Sequence, residues 1–212
     1  MIVAMARELG AGGRELGERL AVALDAELLD NQIVDLVAAR MGAPASYVAA
    51  RDENVEGFVD RLFRAITAAD PEAYAAAQMP DWSEERLVAL TAGIIAERAA
   101  ERSLVVIGRG APSLLAGRPD VLRIFVSAPY ESRCDKVARR LGCSAAEAAR
   151  RIKESDRHRA AYVWQYYDAA WQDPHSYDLV LNTARLGIDL AVKLTAQAAR
   201  QLTTGGRSPF SA

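Results

Sequence analysis

The first apolar block of the chain, Ile2-Val3-Ala4-Met5-Ala6, runs without alternation toward Glu8-Leu9-Gly10-Ala11-Gly12-Gly13, after which Leu16, Leu20, Ala23 and Leu24 recur at helical spacing. An apolar run, a glycine-rich turn and a 3.6-residue period predict strand, loop and helix. Ala26-Glu27-Leu28-Leu29-Asp30 predicts a second strand ending in an acid, and residues 31–102 read as helical throughout. Three apolar faces lie in that stretch: Ile33, Leu36, Val37 and Met41; then Val55, Phe58, Val59, Leu62, Phe63 and Ile66; then Leu87, Leu90, Ile94 and Ile95. Asp70-Pro71 and Met79-Pro80-Asp81 break the run, and Ser83 ahead of Glu84 and Glu85 marks a helix start. Leu104-Val105-Val106-Ile107 and residues 121–126 are continuous apolar runs, as in strands covered on both faces, with Arg123 interrupting the second. Two helices are predicted to meet at Leu141-Gly142-Cys143, where Gly142 fits a helix stop and Ser144-Ala145-Ala146-Glu147 a capping box. Residues 177–183 predict a fifth strand, 187–202 a closing amphipathic helix, and 203–212 a disordered Gly/Ser/Pro tail.

Strands alternating with helices place the chain in the α/β class. Its 212 residues, 51% hydrophobic and 25% charged, are enough for a substantial core. A net charge of −2 offers no general case for a nucleic-acid polymer as partner. No apolar run approaches the ~20 residues that span a bilayer, and Met1 leads straight into the first strand, so a cytoplasmic protein without a membrane partner is expected. Cys134 and Cys143 read as free thiols, and His158 and His175 are too scattered for a metal cluster.

The chemistry concentrates at strand ends. Glycines tolerate positive φ and let a ligand approach the backbone, and a following helix offers unsatisfied N–H groups, so residues 10–15 (Gly10, Ala11, Gly12, Gly13, Arg14, Glu15) form a candidate phosphate loop. Against G-x-x-x-x-G-K-[ST], Arg7 stands at the first glycine, Gly13 at the lysine, and Arg14 or Glu15 at the hydroxyl residue. Arg14 is the candidate replacement for the lost lysine charge. An ordinary βα turn, or a dinucleotide fingerprint with Asp30 as the ribose acid, are the other readings. Asp30 is also a candidate helix cap. Arg109, flanked by Gly108 and Gly110 after the third strand, is poised to enter a crevice. From Pro129 the chain turns basic, with Arg133, Lys136, Arg139, Arg140, Arg150, Arg151, Lys153, Arg157 and Arg159, a cationic helical hairpin that could close on phosphates as a lid. Asp156 and Arg159 share a helix face, as an ion pair or as an acceptor–donor pair for a base edge. Tyr162, Trp164, Tyr166, Tyr167 and Trp171 read as core packing, and Arg51-Asp52-Glu53-Asn54 as an exposed loop.

Taken in order, the loop at 6–17, Leu29-Asp30, Val106-Ile107-Gly108-Arg109-Gly110, Asp156-Arg157-His158-Arg159-Ala160 and the segment at 177–183 resemble the cytidylate kinase-like family, a divergent branch of the P-loop nucleoside monophosphate kinases. That resemblance implies a three-layer P-loop NTPase fold: a five-stranded parallel sheet with helices on both faces. It implies one domain over 1–202, with core 1–30, 91–129 and 172–202, a helical acceptor-binding insertion at 31–90 and a lid at 130–160. It further implies that Arg109, Asp156 and Arg159 bind the acceptor and that Arg133, Arg139 or Arg140 act on the transferred phosphoryl group; Asp30, by its place at a strand end, joins the acceptor-binding candidates, and Arg14, by its charge, the catalytic ones. Gly110 departs from the aspartate that follows the arginine in the family's true cytidylate kinases. The implied reaction moves the γ-phosphoryl of ATP, with Mg²⁺, to CMP, dCMP or a related small phosphorylated acceptor. The missing loop lysine and hydroxyl leave open a non-catalytic nucleotide-binding module, and more distantly a dinucleotide-binding oxidoreductase. The metal ligands and the oligomeric state are not legible.

Overall fold

Strand β1 (Ile2–Arg7) is buried at every residue from Ile2 to Ala6, because it lies at the centre of a parallel sheet with a neighbour on each side. The computed structural model describes residues 1–40 and 84–204, divided into two units, Met1–Asp30 with Ile95–Ala212, and Asn31–Ile94. In the first unit β1 pairs with β3 (Leu104–Ile107) in the register Ile2↔Leu104 and with β4 (Val121–Ser127) in the register Ile2↔Val121. Strand β2 (Glu27–Leu29) pairs outside β3, and β5 (Leu179–Asn182) outside β4, so the order is β2-β3-β1-β4-β5. This is the expected five-stranded parallel sheet. Its order also separates it from the dinucleotide fold, in which β2 lies directly beside β1.

One sheet face is covered by helix α1 (Gly13–Leu24) and by the closing helix of the chain. Leu16, Leu20, Ala21 and Leu24 of α1 join Val3, Met5, Val105, Ile107, Leu122 and Ile124 in one core. Each such fully buried leucine or isoleucine stabilises the fold by about 1.5–3 kcal/mol. Gly17 lets α1 close on the sheet: a Cβ there would stand 2.4 Å from Ile107 Cδ1.

Helix α2 (Gln32–Arg40) and most of α3 (Glu84–Glu101) belong to the second unit, where Ile33, Val37, Leu87 and Val88 are buried and Thr91 Oγ1 donates to Leu87 O at 2.7 Å. The faces assigned to 55–66, the breaks at 70–71 and 79–81, the helix start at Ser83, the polar segment 51–54 and the end of the chain from 205 lie outside the described residues. After β3 comes the short α4 (Ala111–Leu114); after β4 come α5 (Tyr130–Leu141) and α6 (Ala145–Tyr167). On the second sheet face, Val163 of α6 packs with Ala6, Phe125 and Trp171, the two rings of the last pair meeting edge to face at 5.4 Å. Trp164, expected in the core, is exposed: the face it occupies points away from that cluster.

Other boundaries shift for local reasons. The final helix, α7 (Thr183–Thr204), starts before the expected 187 because a first turn precedes a break at Gly187, φ 70°. Arg123 interrupts a buried strand without penalty because Asp178 accepts from its backbone N at 2.7 Å and its Nη2 at 3.0 Å. Half of the capping box forms: Glu147 N donates to Ser144 Oγ at 3.2 Å, while the Glu147 carboxylate accepts from Arg150 and Arg151. Among the described residues, no helix is long and apolar enough to cross a membrane.

Candidate active site

Between β1 and α1 the chain turns through Gly10 at φ 86° and Gly12 at φ 78°, left-handed conformations that a side chain disfavours. Gly12 is the N-cap of α1, so the first-turn N–H groups of that helix open at the carboxyl end of β1. Such groups have no partner within a helix and present partial positive charge.

The loop is held from below. Glu8 Oε2 accepts from Ala128 N at 3.2 Å and Glu8 Oε1 from Gln172 Nε2 at 3.1 Å. Leu9 N donates to Asp156 Oδ1 at 3.0 Å, and Thr183 Oγ1 donates to Ala11 O at 2.6 Å. The buried Arg133 binds the underside at several points: Nη1 donates to Leu9 O at 3.3 Å and to Asp156 Oδ2 at 2.6 Å, and Nε donates to Ala128 O at 3.1 Å and lies 3.4 Å from Glu8 Oε2. A Cβ on Gly10 would meet the Arg133 carbonyl at 2.9 Å, so the glycine allows this approach. Buried charge is costly unless paired and hydrogen-bonded, and Arg133 is both. The conformation of the loop is thus held by contacts within the protein itself.

Beside the loop, at the ends of β2 and β3, lies a cluster of arginines with two carboxylates among them. Gly108, Arg109 and Gly110 follow β3 with φ of 78°, 57° and 65°, and a non-glycine residue at such a φ is uncommon. Tyr167 fastens the turn, its hydroxyl donating to Arg109 O at 3.3 Å, with its ring so close that a Cβ on Gly110 would stand 2.1 Å from Cε2. Tyr162 is hydrogen-bonded to Tyr167 in turn, and burial raises both phenols above their ordinary pKa. Arg159 Nη1 donates to Asp156 Oδ1 at 3.2 Å. Burial, then the charge of Arg7, with that of Arg109 behind it, push the Arg159 guanidinium well below its ordinary pKa, and Asp156 opposes the shift. Arg7 Nη2 lies 3.6 Å from Asp30 Oδ1.

Of the residues singled out in the sequence, the structure gathers Gly10, Ala11, Gly12, Gly13, Asp30, Arg109, Asp156 and Arg159 at the strand ends, with Arg133 beneath them. Arg14 lies on the exposed side of α1, its Nε 3.0 Å from Glu18 Oε1, and Glu15 faces Arg19 at 3.5 Å. Arg139 and Arg140 are exposed in the last turn of α5, Arg139 Nε donating to Asp135 O at 3.2 Å. Arg7, Glu8, Tyr167 and Thr183 were not singled out as site residues. For Arg7 a signal existed, a charged residue at the position of the first loop glycine; for the others only the tertiary contacts disclose a role.

The family resemblance implies Mg²⁺, and the donor set of the described residues forms no protein cage for it. Among the described residues, no group of three Asp, Glu, His or Cys side chains could hold a metal ion, and the carboxylates of Glu8, Asp30 and Asp156 each face an arginine. Such a cation keeps several waters and takes phosphate oxygens from its nucleotide.

Among known proteins, a cytidylate kinase of Methanopyrus kandleri is 36% identical over 101 residues, 44% of this chain and 52% of that protein. One from Thermococcus kodakarensis is 31% identical over 110 residues, 52% of this chain and 56% of that protein. The chain thus spans about half the length of the curated relatives it matches. An uncharacterized protein from Eubacterium ventriosum superposes with a TM-score of 0.69 at 19% identity, covering 94% of this chain and 98% of its own, which shows the shared fold. With that fold stands a family-model match over residues 2–185, a span that takes in the pinned loop, the Arg109 turn and the helix bearing Asp156 and Arg159, and on this match the chain belongs to the cytidylate kinase-like family.

Proposed function

We propose that this protein transfers the terminal phosphoryl group of ATP, carried with Mg²⁺, to a nucleoside monophosphate of the CMP or dCMP type. The observation that carries the reading is the juxtaposition, at the carboxyl ends of neighbouring parallel strands, of a pinned glycine loop opening α1 and the Arg109 turn after β3. The first offers backbone donors to the phosphates of the donor nucleotide, the second a guanidinium to the acceptor phosphate. Phosphoryl transfer asks mainly for alignment and charge neutralisation, so two anion sites at neighbouring strand ends are suited to it. Arg159 and Asp30 border the acceptor side. Arg133 serves as a positioning residue that holds the loop. Arg139 and Arg140 remain candidates for contact with the transferred group only if the hairpin turns toward the nucleotide.

A second reading, a nucleotide-binding module without turnover, is favoured by one observation: the loop has Gly13 at the lysine position and Arg14 or Glu15 where a hydroxyl would stand. Calorimetric titration with ATP and Mg²⁺, followed by an ADP-release assay over a nucleoside monophosphate panel, separates the two. Binding with acceptor-dependent ADP release supports the kinase. Binding without release under any acceptor supports the module, and absence of ATP binding overturns both.

A further inference from the structure

The residue aligned with the first loop glycine and the residue aligned with the lysine have exchanged character: Arg7 is charged where glycine is usual, and Gly13 is bare where lysine is usual. The structure couples the two. A Cβ on Gly13 would stand 2.7 Å from Arg7 Cβ and 2.8 Å from Arg7 Cγ, so the Arg7 stem occupies the space beside the first residue of α1. Any side chain at position 13 would collide with it. Beyond the stem, Arg7 crosses the end of β3, where a Cβ on Gly108 would lie 1.9 Å from its Nη1, and reaches toward Asp30. Two glycines from separate strand ends therefore make room for one arginine. The side chain is 24% exposed, its Nη2 lying 3.6 Å from Asp30 Oδ1.

We propose that Arg7 supplies the phosphate-binding charge that a loop lysine supplies elsewhere, its guanidinium standing where the loop-bound phosphates and the acceptor phosphate approach one another. The inference rests on the kinase-or-module reading above only in taking phosphate as the guest. A second feature is consistent with it: behind burial, the larger cause, the charge of Arg7 and to a lesser extent that of Arg109 lower the Arg159 guanidinium against the pull of Asp156, so the three arginines lie close enough to act on one another and an anion among them would offset that repulsion. A planar guanidinium can also bridge two oxygens, of one phosphate or of two. Arg14, exposed and paired with Glu18, is displaced by this assignment from the role of lysine substitute.

The test is a swap. Wild type, Arg7→Met, Arg7→Gly, Gly13→Lys, the double variant Arg7→Gly with Gly13→Lys, and Arg14→Met as control are titrated calorimetrically with ATP plus Mg²⁺ and with inorganic tripolyphosphate, each after a melting curve. Arg7→Met is expected to lose at least tenfold in affinity for both probes, and Arg14→Met less than twofold. Gly13→Lys alone should be destabilised by collision with the Arg7 stem. The double variant, which restores G-x-x-x-x-G-K, should recover most of the affinity that Arg7→Gly loses, a rescue that a purely structural arginine does not predict. If folded Arg7→Met binds both probes as wild type does, the inference falls while the proposed function stands. If the double variant melts as wild type but binds no better than Arg7→Gly, the exchange of roles is likewise refuted. If wild type binds neither probe, the phosphate-site reading falls with it.

Discussion

Arg133→Met removes the guanidinium beneath the loop while keeping a stem of similar length, and the structure sets the size of its effect. Three acceptors lose a donor, the carbonyls of Leu9 and Ala128 and the carboxylate of Asp156, and the Glu8 carboxylate loses an ion-pair partner. Glu8 and Asp156 have side chains only 11% and 15% exposed, so water replaces the lost charge poorly. Breaking one buried ion pair typically costs about 3–5 kcal/mol. Asp156 keeps Arg159 and Leu9 N, and Glu8 keeps Ala128 N and Gln172, which places the expected loss near the middle of that range, about 4 kcal/mol. For a chain of this length that is a fall in Tm of roughly 10 °C. Arg133→Lys should recover little, because an ammonium cannot span acceptors that a planar fork reaches at once. The assay is urea and thermal unfolding with amide exchange: the Leu9 amide, which donates to Asp156, should lose protection together with its neighbours in the loop. A Tm within about 2 °C of wild type, with the Leu9 amide equally protected, would refute the view that Arg133 organises the loop.

Two further outcomes follow, one at the loop and one at the start of α6. Thr183→Val keeps the shape but deprives the Ala11 carbonyl of its donor in a buried setting, so stability should fall by about 1–2 kcal/mol in chemical denaturation, with weaker ATP binding from a looser loop. Hydrogen bonds from Arg150 and then Arg151 hold the Glu147 carboxyl down to about 2. Because its folded value lies below the unfolded one, its stabilising contribution is complete above pH 4.5 and is lost as pH falls toward 2. Carboxyl NMR should show the low midpoint, and Arg150→Ala with Arg151→Ala should return it toward 4.5; an unmoved midpoint would disprove the cause.

The class of the fold was legible because it rests on local periodicity. Ile2-Val3-Ala4-Met5-Ala6 and Leu104-Val105-Val106-Ile107 lack alternation, which only a strand covered on both faces tolerates, and Leu16, Leu20 and Leu24 define a helix face whatever they pack against. The glycines of the loop and Arg109 between two glycines were legible for a similar reason: backbone conformation is a property of short segments. Strand order was not, since β2 pairs with β3 across many intervening residues and nothing in either run names its neighbour. Nor was the division of labour among the arginines. Position along a helix made Arg133, Arg139 and Arg140 equivalent, yet one points inward beneath the loop and two into solvent. Arg14 lay nearest the loop in sequence but faces outward on α1, whereas Arg7 crosses inward past Gly13 and Gly108. Sequence determines which charges exist and on which element they ride; which of them converge depends on how β1, β3 and α6 are brought together, because a guanidinium acts over a few ångströms of space and not over residues of chain.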